Sequence, residues 1–255
     1  MTAFLGGVRL QAAMFRRAWD NLLALITVPL FTIAFLAITR HAGRTDLAAY
    51  AVIGPAVVAV LGMAILTSGE VVASDRYTGV IELNLATPSP LAVVVLGRIF
   101  VVTFVSLIGV LEALLVARLL FGVVLRVPHP AQLTGVVVLA VLAMAGTALV
   151  MAAVFVAARS ARTFQNTISY PLYLLGGAFV PVALLPGWMH PAARVVFLSW
   201  ATDLMRDCMA AAPVPDYWPR MGIVAGLGAA SFVAGFIVLA RVIDRARATG
   251  RVGHE

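Results

Sequence analysis

The sequence predicts an all-α integral membrane protein with six transmembrane helices, and three observations carry that prediction. The 255 residues are 62% hydrophobic and only 11% charged. An ordinary soluble domain is about half apolar and a quarter charged, and a water-soluble fold of this length cannot hide so much apolar surface. The charges bracket uncharged runs long enough to cross a bilayer core. The arginines favour alternate connecting segments, as cytoplasmic loops do.

The spans follow from the charges in chain order. The first uncharged run lies between Asp20 and Arg40, and the second reaches from Leu47 to Gly69. From Ile99 to Ala117 the one charge is Glu112. Later runs lie between Arg126 and Arg159, Arg162 and Arg194, and Arg220 and Arg241. The expected helices are roughly 21–39, 50–69, 97–119, 133–157, 167–186 and 221–240. The first is too long for a cleavable signal, and Thr39, Arg40 and His41 follow it where a small-residue cleavage site would stand.

With the N-terminus in the cytoplasm, eleven of the 18 arginines fall in inner segments and seven in outer ones. An even number of spans then keeps both termini inside. The formal charge of +7 is explained by this topology and calls for no nucleic acid. Residues 3–19 form an expected interfacial helix: Phe4, Val8, Ala12, Phe15 and Trp19 share one face, Arg9, Arg16 and Asp20 the other. No repeat or composition shift divides the chain, so residues 1–255 are expected to be one domain embedded in membrane lipid.

Composition also excludes chemistries. Every basic residue is Arg, so no phosphate-binding loop with its Lys and no Schiff-base Lys can exist. The same usage points to a GC-rich bacterial genome. Cys208 is the single cysteine, which rules out an intramolecular disulfide and a multi-cysteine metal site. The histidines, His41, His129, His190 and His254, are scattered, and no metal site is expected. No H-E-x-x-H or G-x-S-x-G is present, and no catalytic residue is assigned. Cys208 is expected outside, in or near the outer hairpin described next.

Two connecting stretches stand out. Residues 68–90 are polar, end at Pro88 and Pro90, and combine Glu70, Asp75, Arg76 and Glu82 with Ile81, Leu83 and Leu85. They predict a short amphipathic helix that docks on a soluble partner, within a segment placed at 73–90. Residues 176–206 contain Gly176, Gly177, Pro181 and Pro186, which predict a fifth span broken near its outer end and dipping back as a helical hairpin, with hairpin and loop at 186–219. Trp188 suits the membrane interface there.

These stretches resemble the hallmarks of type 2 ABC transporter permeases, the membrane subunits of bacterial drug, polyketide, lipid and glycan exporters. In that family an inner loop reads roughly acid-Arg-x-x-Gly-Thr-Leu-Glu-x-Leu-x-x-Thr-Pro. Here Asp75, Arg76, Tyr77, Thr78, Gly79, Val80, Ile81, Glu82, Leu83, Asn84, Leu85, Ala86, Thr87 and Pro88 stand in that order, with Val-Ile for Thr-Leu. The Phe-x-Pro and Leu-Pro-Gly-Trp elements of the family's outer hairpin are matched by Phe179–Pro181 and Leu185–Trp188, and its later Asp and Arg by Asp203 and Arg206. Ser199 and Trp200 stand where the family often has a Pro.

The resemblance implies a dimer with a second copy or a homologous permease. It also implies a cytoplasmic ABC ATPase subunit docked on each coupling helix. ATP would be bound by that partner, and this chain would hold no cofactor. The expected location is the bacterial cytoplasmic (inner) membrane and the expected role multidrug or lipid efflux. Secondary transport and a membrane transferase activity are the alternatives.

Two more features are singled out. Glu112 is expected roughly 10 Å below the outer end of the third span. An acid there is costly; it serves as a polar contact in the transport path or as an interhelical partner. Gly222 and Gly226 form a G-x-x-x-G in the last span, for helix packing within the subunit or across a dimer.

Overall fold

The computed structural model describes residues 2–17, 23–44, 50–62, 91–123, 127–157 and 161–249, and no strand occurs among them. The helices are α1 (Thr2–Arg17), α2 (Leu23–His41), α3 (Tyr50–Gly62), α4 (Leu91–Val105), α5 (Leu107–Phe121), α6 (Pro130–Ala157), α7 (Ala161–Leu175), α8 (His190–Val195), α9 (Phe197–Asp207) and α10 (Tyr217–Thr249). Among the described residues, three stretches are long and apolar enough to cross a membrane: Val93–Phe121, Pro130–Val154 and Tyr217–Val242. Ile26–His41 and Tyr50–Gly62 are shorter apolar helices. In lipid the backbone must satisfy its own polar groups, which is why these runs are helical.

α6 and α10 form the most extensive helix pair, and glycine sets their separation. A Cβ on Gly146 would lie 2.7 Å from the Phe232 nitrogen, one on Gly228 2.6 Å from the Ala143 Cβ, and one on Gly235 2.7 Å from the Val150 nitrogen. The small-residue contact therefore falls on Gly228 and Gly235, one heptad apart, and not on the expected pair. Gly222 and Gly226 are exposed and meet nothing within 4 Å, which corrects their assignment to packing within the subunit. The reason is helical phase: Gly226 and Gly228 are two residues, about 200°, apart and face opposite ways.

α1 forms within one or two residues of its expected bounds but is seated on α4. Gly7 lies against the Val94 backbone and Gly97 against the Phe4 backbone, while Phe4 meets Phe100 edge to face at 6.0 Å. Falling numbers on α1 meet rising numbers on α4, so the two run antiparallel. The buried face is Gly7 and Gln11, not the apolar stripe through Ala12. Gln11 is buried because it answers a charge: Arg98 Nε donates to Gln11 Oε1 at 3.0 Å, and Arg98 Nη2 reaches the Met14 sulfur at 3.2 Å.

The expected third span is two helices that meet at Ser106. Thr103 Oγ1 donates to the Ile99 carbonyl at 2.8 Å, and Ser106 Oγ to the Thr103 carbonyl at 2.6 Å. Hydroxyls bonded back to the preceding turn bend helices. Below the bend, α4 packs on α1 and α6; beyond it, α5 packs on α2 instead. Ala113 and Ala117 of α5 share a core with Val28 and Leu36 of α2 and with Ala51, Val52, Ala56 and Ala59 of α3.

The fifth helix differs most from expectation. It begins at Ala161 and ends at Leu175, where 167–186 was predicted. Gly177, with φ +71°, ends it in the left-handed region that glycine tolerates. The break thus precedes Pro181 and Pro186, which each launch a short 3-10 turn, Val182–Leu184 and Gly187–Met189.

Adding bulk at the α6–α10 seam should be costly. We expect Gly228→Leu to destabilise the chain by about 1–3 kcal/mol, as overpacking does, and Gly222→Leu by less than about 0.5 kcal/mol, as for an open surface. Thermal unfolding in nanodiscs reads both. Equal losses would show that the seam is not where these glycines place it.

Candidate functional site

The described residues hold one elaborated polar site, at the turn where α7 ends. The turn frees backbone carbonyls, and α9 supplies donors for them. Thr202 Oγ1 donates to the Gly176 carbonyl at 2.8 Å, and Arg206 Nη2 donates to the Gly177 carbonyl. Arg206 is 7% exposed and its guanidinium lies over the Tyr50 ring of α3, 4.7 Å from the centroid. Asp203 approaches Arg206 Nη1 at 3.7 Å, close enough for charge attraction but too long for a hydrogen bond. Burial pushes the Asp203 carboxyl above its ordinary value, and the neighbouring Arg206 opposes that shift.

Three elements are thereby fastened together. Gly176 sits under Leu198 of α9. Gly54 of α3 lies against the Ala178 carbonyl so closely that no Cβ would fit. α3, the turn and α9 meet through Gly54, Tyr50, Gly177 and Arg206.

The rest of the hairpin is secured by its own backbone. At Val196 the chain is extended (φ −87°, ψ 117°), making the corner between α8 and α9. Ser199 Oγ donates to the Ala193 carbonyl at 2.7 Å across that corner, which accounts for a hydroxyl residue here. Trp200 Nε1 donates to the Arg194 carbonyl at 2.9 Å, and the Arg194 guanidinium stacks 4.4 Å from the Trp200 ring. Trp188 is largely exposed. Beyond α9, Asp207 pairs with Arg220 at 2.5 Å and ties the hairpin to the start of α10.

Cys208 lies at this junction and is fully buried. Burial, and then the charge of Asp207, push its thiol above the ordinary value. The thiol is therefore closed to a reagent in the folded chain, whichever side of the membrane it faces.

Beside the hairpin is a cavity of about 130 Å³ with no polar lining. Its walls come from α3 (Ile53, Val57), α5 (Val110, Leu114), α6 (Val137, Met144) and the hairpin (Met205). Glu112 does not face it, because it stands two residues, about 200°, from both Val110 and Leu114. Glu112 is half-buried, and its Oε2 has no hydrogen-bond partner among the described residues.

Of the residues singled out from the sequence, the structure brings together Gly176, Gly177, Asp203 and Arg206. Pro181, Pro186 and Trp188 lie further along the hairpin, and Glu112, Gly222 and Gly226 stand apart from it. Asp75, Arg76, Tyr77, Gly79, Ile81, Glu82, Leu83 and Leu85 lie outside the described residues, as does the whole 73–90 segment. Sequence reading missed Tyr50, Gly54 and Thr202. Tyr50 had a signal, an aromatic at the start of a span, but nothing marked it as the seat of a cation.

The apolar helical spans and the broken hairpin define a multi-pass membrane protein. A family model described as ABC-2 type transporter matches residues 8–210. The chain belongs to that family and is a type 2 ABC transporter permease, the membrane subunit of an ABC transporter. No curated protein and no solved structure matches it significantly.

Removing the cation should loosen the clamp. Arg206→Leu leaves the buried Gly177 carbonyl without its donor, a loss of about 1–3 kcal/mol. We expect maleimide to react with Cys208 slowly in the native chain and much faster in this variant. Equal rates would mean that the hairpin is held by other contacts.

Proposed function

We propose that this permease exports a hydrophobic or amphiphilic compound across the bacterial cytoplasmic membrane, using ATP hydrolysed by a separate ABC ATPase subunit. It crosses the membrane six times, keeps both termini in the cytoplasm, and works as a dimer with a second copy or a homologous permease. The 75–87 helix is the seat of the ATPase. Ile81 and Leu85, four residues apart on one helical face, fill an apolar groove of the partner. Arg76 and Glu82 add charge-assisted contacts at its rim, Tyr77 docks directly, and Gly79 allows close approach.

The observation that carries this reading is the position of α3. Its far end joins the segment that holds the coupling motif, and its near end bears Tyr50 and Gly54 against the hairpin. A displacement of the coupling segment would reach the turn at Gly177 through α3, which it follows in the chain. ATP-driven closure of the partner subunits would shift the permease between two arrangements of spans and hairpin. The apolar character of the spans favours a cargo that partitions into lipid.

The purified chain should hydrolyse no ATP alone and should co-purify with its ATPase. Glu82→Ala, or a bulky residue at Gly79, should leave membrane insertion intact while cutting ATP-driven efflux of a hydrophobic dye by tenfold or more, roughly 1.4 kcal/mol on the transport barrier. Normal efflux from both variants at normal expression would sink the assignment of the coupling helix. Glu112→Gln should alter efflux or substrate preference without impairing assembly. Failure to assemble would make Glu112 structural.

A further inference from the structure

The bend at Ser106 has a second consequence. α4 is packed against α6, but α5 turns away toward α2, so the two helices splay apart on the hairpin side of the bend. The apolar cavity occupies that wedge. Val110 and Leu114 form one lip and Val137 and Val141 the other, with Leu114 38% exposed at the mouth. Val57 and Met144 close the back, and Met205 of the hairpin stands at one end.

We propose that this wedge is a binding site for the end of one alkyl chain, entering sideways from the membrane leaflet at the hairpin end. The lining offers no hydrogen-bond donor or acceptor, so neither a headgroup nor ordered water is held there. A comparable apolar cavity of about 150 Å³ stays dry and takes up benzene or xenon. A space of about 130 Å³ therefore admits the last few carbons of a chain. The surrounding solvent is itself made of such chains, and the mouth opens between two lipid-facing helices. Methionine at the closed end suits a chain of variable length, since its unbranched thioether adapts to irregular gaps. The chain is that of a bilayer phospholipid, the molecule that surrounds the mouth, and it would wedge α5 from α6 and bear on the hairpin through Met205. The proposal rests on the membrane embedding of the chain and not on the direction or energy source of transport.

The test uses the full chain in phosphatidylglycerol vesicles containing a phospholipid with a diazirine at the end of one acyl chain. After irradiation, adducts are mapped by peptide mass spectrometry. Adducts should concentrate on the peptides bearing Met144 and Met205, severalfold above those at Ile38 and Leu119, which are exposed and line no cavity. Ala140→Phe, which fills the cavity, should bring the enrichment down to the level of those open surfaces and leave their own labelling unchanged. A second arm uses an alkyl maltoside with the same terminal diazirine. Enrichment by the phospholipid identifies a bilayer lipid as the occupant, and enrichment by the maltoside alone identifies a single-chain amphiphile instead and contradicts the proposal. Even labelling of cavity and open surface by both probes in the unmodified chain would overturn the proposal, whatever the variant does.

Discussion

A helix broken near a membrane leaves backbone carbonyls that have no water to turn to, and the fold of the hairpin follows from how they are answered. α7 stops at Gly177, the turn frees the carbonyls of Gly176 and Gly177, and α9 is placed where Thr202 and Arg206 donate to them. A buried guanidinium needs compensation of its own. Tyr50 supplies a ring face and Asp203 a nearby charge, which draws α3 into the same site. Ser199, Trp200 and the Asp207–Arg220 pair then hold the remainder of the hairpin against that anchor.

The same constraint shapes the rest of the bundle. At Ser106 the third span bends without leaving its hydroxyls unpaired, since Thr103 and Ser106 both bond to their own helix. Arg98 is buried beside α1 because Gln11 and Met14 meet it there. The bend at Ser106 and the buried Arg98 are each accompanied by a named polar partner. The bend also separates α5 from α6, so a local backbone adjustment becomes a lateral opening toward lipid.

Much of this was legible in the sequence, for a physical reason: a bilayer demands long uncharged runs, and charge is easy to read. The runs bracketed by Asp20, Arg40, Arg126, Arg159, Arg220 and Arg241 contain α6 and most of α2 and α10. The pairing of Gly177 with Arg206 could be anticipated as a broken span followed by a conserved-type Asp and Arg only through family resemblance; the residues themselves do not say which carbonyl the Arg serves. Where reading failed, the deciding residues carried no hydrophobic signal. α1 is seated on α4 through Gly7 and Gln11, beside Phe4 of its apolar stripe, and neither of those two residues carries a hydrophobic signal. Gly228 and Gly235 hold α10 to α6 without forming a G-x-x-x-G, while the pair that does form one, Gly222 and Gly226, looks outward. Prolines drew attention to 181 and 186, but the positive φ at Gly177 ended the helix first.

α3 gives this architecture its functional meaning. Its first turn is packed against the turn that α9 secures, and the Asp75–Pro88 motif follows it in the sequence. In the proposed mechanism a separate ATPase grips that motif and moves the hairpin through α3. The most direct measurement places a photoreactive benzophenone at Ile81 in intact cells and identifies what it captures on irradiation. A covalent adduct with a soluble ABC ATPase subunit, its yield changing when ATP is bound, is expected. Capture confined to lipid or to other parts of this chain, with the protein normally inserted, would contradict it.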